Sequence, residues 1–582
     1  MTSRTGPILM AVAAALLIQP AAILKAATGT AAIGAVTTGA ATSGAAASGG
    51  TPAPALPRTF VETGPVPVTG TIRRVRDGDE LRRSLEAARL GDAIVLEAGA
   101  VFAGPFALPS KSGSGWITIR TSAEDKLPAP GIRVEPSMAP LMPRLESDIE
   151  SVITTEPGAH HYRLVGLEIR PKPGAFLYNL VALGASERSL DALPHHIVID
   201  RCYLHGDPRR GTRRGVALNG REIAVLDSYL ADFKEAGADS QAIAGWNGSG
   251  PFRIVNNTLE GAGENILFGG ADPAIRDLVP SDIEIRRNLL RKPMAWKQGE
   301  PSFEGTVWTV KNLFELKNAR RVLVDGNVFE NNWAQAQSGF AILFTVRNQD
   351  GSSPWSTVED VTFTNNIVRH TGSAVNVLGT DDAAPSGPAR RLALRNNLFD
   401  DVGGPRWGGG GRLLQMLNGV ADLTFEHNTC LHTGNTVTAE GPVHTGFVFR
   451  DNIVLNNEYG VTGSGKPSGR STLDAFFPGA LFDRNVIVGG SASAYPSGNF
   501  FPKSVAQVGF ADPGQGDYRL AASSRYALAA TGAKNAGVDF AALAAAEAPV
   551  PNVRSEQPVS GGRQPGATLP SGTSARGERK DF

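Results

Sequence analysis

Cysteine is nearly absent from this chain, with two in 582 residues. Two thiols cannot build a disulfide framework, so packing and hydrogen bonds must hold the fold. Net charge is absent too, since 56 Lys+Arg balance 56 Asp+Glu. Without a basic excess, nucleic acid is excluded as a global partner, because phosphates need a positive face. Aromatics make up only 7 %. The 68 glycines follow no Gly-X-Y period, which excludes a collagen-like rod. Apolar residues are not scarce: 41 % hydrophobic content supports a large core and excludes wholesale disorder. At about 150 residues per domain the length suggests three or four domains, but one long repetitive domain also satisfies it.

The two ends carry no core pattern. Arg4 precedes an uncharged stretch from Thr5 to Leu24. A basic start, a short apolar run and small residues after it read as a secretory signal over residues 1–27, with an uncleaved anchor as the alternative. Residues 28–58 are mostly Ala, Gly, Thr, Ser and Pro, a flexible linker by composition. Residues 549–582 return to Pro, Gly, Ser and charge, and read as a disordered tail. The chain is therefore expected to be secreted or periplasmic, a monomer, and free of membrane contact beyond the signal segment.

Between the ends runs a repeat: alternating aliphatics, two polar residues of which the second is usually Asn, then aliphatics again. IVIDRCYLHG ends at Gly206, FRIVNNTLEG at Gly261, VLVDGNVFEN at Asn331, LALRNNLFDD at Asp401 and FVFRDNIVLN at Asn456. The equivalent column is Cys202, Ser228, Asn257, Asn288, Asn327, Asn366, Asn397, Asn428, Asn452 and Asn485. Period-2 alternation on both sides of a polar corner means strands, not helices. One unit cannot bury its own apolar face, but coils stacked about 4.8 Å apart bury a continuous core. A corner Asn tolerates the left-handed backbone, and its amide can bond the equivalent Asn one coil away. This column is expected to set coil register and do no chemistry. Ahead of it, residues 77–90 (DGDELRRSLEAARL) form an amphipathic pattern with Leu81, Leu85 and Ala88 on one face, suited to plug the open end of the stack.

That helix, followed by GDAIVLEAGAVFAGPF (91–106), SGSGWITIR (112–120) and Asn-cornered coils, resembles the right-handed parallel β-helix proteins of the pectate-lyase-like class. The resemblance covers residues 70–530 and implies an all-β solenoid with a short N-terminal capping helix, placed within 59–548. Function does not follow from it, because the class holds lyases, hydrolases, epimerases and adhesins. Cys202 and Cys430 would then sit seven coils apart, far beyond disulfide reach, as buried unpaired thiols.

Three signals point to one group of coils. The longest spacings, 39 residues on each side of Asn327, enlarge the loops within 289–365. Six of seven tryptophans lie between Trp246 and Trp407, and Trp308, Trp333 and Trp355 are candidates for stacking on sugar rings. Aligning the strand after each corner places Asp272, Lys317, Arg347 and Asp381 beside one another at about 5 Å steps. Two adjacent cations need acidic neighbours or an anionic ligand. A salt-bridge ladder accounts for this as well as a site for a polyanionic sugar, in which the neighbouring Arg helps keep Lys317 neutral enough to act as base.

The stretch FELKNARRVLVDGNVFENNWAQAQSGFAILFTVRNQDG (314–351) resembles part of the chondroitinase B and alginate lyase family. The resemblance implies Lys317 as proton-abstracting base, Arg347 assisting the donor step, and Glu315 as ligand to a Ca²⁺ that neutralises a uronate carboxylate. It departs from the family in the placing of Arg347 and in Asn348-Gln349 after it. Asp272, Glu264 and Asp239 are further Ca²⁺ candidates, and Glu235 stacks over Glu264 by spacing. His160, His161, His195 and His196 lack metal-ligand spacing and read as loop residues. The expected activity is β-elimination on a uronic-acid-containing glycan, an anionic polysaccharide. A hydrolase recruiting Asp381 with Asp382 or Asp272 at about 5–9.5 Å, and a non-catalytic carbohydrate-binding β-helix, are the alternatives.

Overall fold

The computed structural model describes residues 51–548. The expected leader (1–27), the linker up to residue 50 and the tail (549–582) lie outside the described residues. Among the described residues no helix is long and apolar enough to cross a membrane.

The repeat folds as a right-handed parallel β-helix of three long sheets, here A, B and C, with 14, 13 and 12 strands. One coil shows the plan. Ala319–Asp325 lies in sheet A, a two-residue corner leads to Val328–Asn332 in sheet B, and Phe340–Thr345 lies in sheet C before Val358–Thr364 begins the next coil. Every neighbour within these sheets pairs in parallel, for example Val322 with Val361, Phe329 with Val368 and Ile342 with Val375. Inward residues therefore fall over inward residues of the next coil. The result is one continuous core in which Phe425, Phe449, Phe482 and Tyr495 stack at 5.2, 5.0 and 5.7 Å between centroids.

Helix Gly78–Ala87 closes the N-terminal end with Leu81 and Leu85 in that core. Asp77 accepts from the Glu80 N–H, and the Glu80 carboxylate accepts from the Arg76 N–H, a reciprocal cap that starts the helix where the sequence places it. Cys202 and Cys430 are buried and unpaired, as their spacing predicts.

The A-to-B corner is built differently from the expectation in one respect. The left-handed residue is the one before each column position: Arg201, Asp227, Asn256, Arg287, Gly326, Asn365, Asn396, His427, Asp451 and Arg484 all have φ between 50° and 67°. The column Asn follows that turn and points inward along the stack. Its Oδ1 accepts the N–H and Nδ2 of the Asn one coil before, as Asn288 donates both to Asn327 at 2.9 and 3.0 Å. Its Nδ2 also donates to a carbonyl of that earlier coil, Asn327 to Ile285 at 2.9 Å. Asn499 extends the column one place past Asn485, after a spacing of only 14 residues, which hides it from a search for long repeats.

Both ends of the described residues run along the outside of the stack. Residues 51–58, expected as linker, lie extended across the A strands, with Thr51 donating to Gly446 O, the Ala55 N–H to Asp360 and the Arg58 N–H to Asp282. At the other end Asp539 exchanges hydrogen bonds with Asn396, and helix Phe540–Glu547 passes over the corner at Gly326.

Removing one column amide should therefore cost far more than a surface change. Asn327→Ala strands the Asn288 N–H in a dry corner and takes one partner each from Asn288 Nδ2, Asn366 Oδ1 and Ile285 O. A loss of roughly 2–5 kcal/mol is expected, read as a lower denaturant midpoint at unchanged fold by circular dichroism.

Candidate functional site

Sheet C is the floor of a groove. On one side stand the B-to-C loops 292–313, 333–339 and 403–413, and on the other the C-to-A loops 269–280, 346–357 and 379–388. Of these, 292–313 lengthens the spacing before Asn327, and 333–339 with 346–357 the spacing after it. On the floor a pocket of about 290 Å³ is lined by Glu315, Lys317, Gln337, Thr345, Arg347 and Asn376. Lys317 and Arg347, expected together, are brought together here.

The even ladder is not formed. Phe268, Leu316, Phe344 and Val377 share one register row, so Lys317 follows its row residue by one place, Arg347 by three and Asp272 and Asp381 by four. Lys317 lies 3.9 Å from Glu315 Oε1. The Arg347 side chain turns to the next coil, where Nη1 meets Asp381 Oδ1 at 2.6 Å and also contacts Asp382. Burial opposes the Arg347 charge, but these two carboxylates outweigh it and hold the guanidinium above its ordinary range. Asp381 is fixed in turn. Burial would raise its carboxyl, but the N–H groups of Ala383 and Asn348 and the guanidinium together hold it below the ordinary value. Asp272 is spent elsewhere, accepting from Ser352 N–H, Ser352 Oγ and Ser353 Oγ at 2.7–2.8 Å and pinning the 346–357 loop.

Beside the pocket lies a group that the sequence disclosed only in part. Glu264 is fully buried and accepts from Gln241, and Lys311, which no motif marked, bonds Asp239 and lies 3.7 Å from Glu264 Oε1. Burial, then the nearby Glu315 carboxylate, pushes Glu264 up to about 7. Burial also works against the Lys311 charge, but Glu264 and Asp239 more than offset it and hold the ammonium above its usual value. Glu235 does not stack on Glu264, because Arg213 takes it in a two-point pair at 2.6 and 2.8 Å. Behind them the fully buried Lys292 donates to the carbonyls of Gly261, Ala262 and Asn312, tying the loop to the stack.

This donor set does not fit the Ca²⁺ that the resemblance implies. Glu315 already uses both oxygens, accepting from Asn312 and Thr345. Asp272 is committed to its serines. The free oxygen of Glu264 faces the Lys311 ammonium, which already supplies the local positive charge. Among the described residues, Glu264, Glu315 and Asp272 form no cluster able to hold an ion.

The tryptophans also differ from the expectation. Trp308 and Trp333 are 4 % and 6 % exposed, packed with Trp296, Trp407 and Val310 into a small core within the loop wall. Lys234 Nζ, fully buried, sits 5.1 and 5.0 Å over Trp296 and Trp308. Packing and the lysine bury most of their surface, so they stiffen the wall, and they also line a hollow of about 250 Å³. Trp355 is half-buried, donates to Leu278 O and lines a separate hollow with Pro273 and Arg276.

No protein-family profile matches the chain, and no curated protein matches it in sequence. Several solved structures resemble it in architecture. The catalytic unit of a thermostable alpha-1,3-glucanase from Streptomyces thermodiastaticus is 11 % identical over 77 % of this chain and 72 % of its own, at TM-score 0.47. A pectate lyase is 12 % identical over 62 % and 80 %, at 0.37. A PL6-family alginate lyase is 12 % identical over 84 % of this chain and 59 % of its own, at 0.41. Likeness at this level concerns architecture, and activity has to be argued from the site itself.

The buried Glu264 makes a pH prediction. Its folded value of about 7 stands above the ordinary 4.5, so its proton stabilises the fold fully at low pH and that stability is lost as pH rises through 7. Glu264→Gln, which cannot ionise, should match the wild type in thermal midpoint near about pH 4.5 and exceed it near about pH 8. Differential scanning calorimetry across that range checks it, and parallel curves would contradict the assignment.

Proposed function

We propose that the protein is an exported polysaccharide-active enzyme, a lyase that cleaves a uronic-acid-containing glycan by β-elimination in the sheet C groove. The observation that supports this reading is the juxtaposition of Lys317 and Arg347 in one pocket of an open, loop-walled groove. An extended sugar chain fits a groove of this form, and its carboxylates suit a floor that carries the Arg347 guanidinium.

In this reading Lys317, as the neutral amine, takes the proton at the carbon next to the uronate carboxylate. The electron pair forms the new carbon–carbon double bond, the bond to the glycosidic oxygen breaks, and that oxygen takes a proton from solvent water as it leaves. Arg347 meets the carboxylate and stabilises the charge that develops on it. Among the described residues both acids reach it through Nη1, which leaves Nε and Nη2 to donate to a ligand while Asp381 with Asp382 holds the fork in place. Glu315 positions the Lys317 amine. Because no step passes through a metal, a calcium chelator should leave turnover intact.

The test is incubation with alginate, pectate and chondroitin, following ultraviolet absorbance of unsaturated ends. Lys317→Ala and Arg347→Ala should each lower the rate by about 10²–10⁴-fold, with the fold retained by circular dichroism. No unsaturated product from any uronate polymer would overturn the lyase reading. New reducing ends without that absorbance would show a hydrolase instead.

A further inference from the structure

Far from the groove, near the N-terminal end of sheet A, two dipeptides that the sequence presents as loop residues come together. His160–Val165 and His195–Asp200 are adjacent strands in register, with His195 beside His160, and Arg221 beside His195 in the coil after. In each pair the second residue is left-handed, His161 at φ 60° and His196 at 53°. That turn breaks the strand's alternation and brings both rings of a pair to the same face. The outcome is a two-by-two array. His160 stacks on His195 at 4.8 Å and His161 on His196 at 4.3 Å, while Nδ1 meets Nδ1 at 2.7 Å within each pair.

We propose that His161, His195 and His196 form a site for a single Zn²⁺-class ion, with the Glu222 carboxylate as fourth ligand. Ring nitrogens of the three histidines all lie within 4.8 Å of one another. Glu222 contacts His196 Nε2 and is steadied from the other side by Arg221, at 2.9 Å. Three imidazoles and one carboxylate are the donor set of a tetrahedral zinc site, and they are unsuited to Ca²⁺ or Mg²⁺, which require oxygen ligands. Binding at about 2.0–2.1 Å requires the half-buried rings to turn until their nitrogens converge on one point. His160 serves as the outer partner that orients His161 through the Nδ1 contact. Trp116 packs edge-on at 5.1 Å from His161 and shields that side.

Held between two coils by histidines and to a third by Glu222, the ion would tie three turns of the stack across their strands.

Equilibrium dialysis of the untagged, chelator-stripped chain against Zn²⁺ tests this, with Ca²⁺ and Mg²⁺ as controls. A single equivalent of Zn²⁺ should bind at micromolar free metal, raise the thermal midpoint, and be matched by neither control ion. The double variant His161→Gln/His195→Gln should lose both effects. His370→Gln, which changes an exposed histidine paired with Asp401, should keep them. Circular dichroism and the metal-free midpoint show whether the double variant is folded. Substoichiometric binding by the wild type overturns the proposal whatever the variants do. Retained stoichiometric binding by a folded double variant overturns the assignment of ligands.

Discussion

Everything in this molecule depends on parallel coils being held in exact superposition, residue over equivalent residue. The corner makes that possible. A left-handed residue turns the chain from sheet A to sheet B in two residues, and the Asn behind it spends both ends of its amide on neighbouring coils. Backbone groups at a tight dry turn would otherwise be left without partners. The amide satisfies them and simultaneously fixes the register of the coil before and the coil after. A slip of one residue would break this column and turn every inward side chain outward.

Superposition forces outward residues into contact too, and the chain uses this in three ways. Where a base follows an acid from coil to coil, rungs form, as between Glu359 and Arg390 or Glu426 and Arg450, at 2.7 and 2.8 Å. Where histidine follows histidine, imidazoles pile into the array near the N-terminal end. Where an amine is enclosed, carbonyls or acids surround it: Lys292 among backbone oxygens, Lys234 between Asp232, Glu304 and two indoles. Local pairing of this kind also explains how a chain of zero net charge carries strongly polar outer faces.

The groove follows from the same plan. Coils that repeat strictly leave a featureless surface, so distinctiveness has to come from insertions between strands. They are placed at both edges of sheet C, and buried lysines and tryptophans make the walls rigid instead of mobile. The floor keeps its own charges in order through fixed acids: Glu315 beside Lys317, and Asp381 and Asp382 on Arg347. A rigid scaffold bearing a preorganised Lys–Arg pair is the physical basis of the proposed reaction surface.

The sequence by itself determined the solenoid, because period-2 alternation around a recurring Asn has only one economical way to bury its apolar face. It likewise determined the capping helix, the unpaired buried cysteines and the position of the enlarged loops, all of which depend on local pattern and spacing. It pointed to Lys317 and Arg347 as neighbours, since both follow strands of one sheet. Tertiary structure alone decided which charges meet. The offset of two residues between Lys317 and Arg347 sends Arg347 forward to Asp381 and leaves Asp272 to its serines. Lys311 enters from a loop whose course no repeat dictates, and it takes the place a cation would need beside Glu264. The tryptophans cluster in sequence, but their faces turn inward because loop packing, not composition, sets their orientation. The histidine pairs, unremarkable at their spacing along the chain, become neighbours only because a left-handed residue in each strand turns their rings to one side.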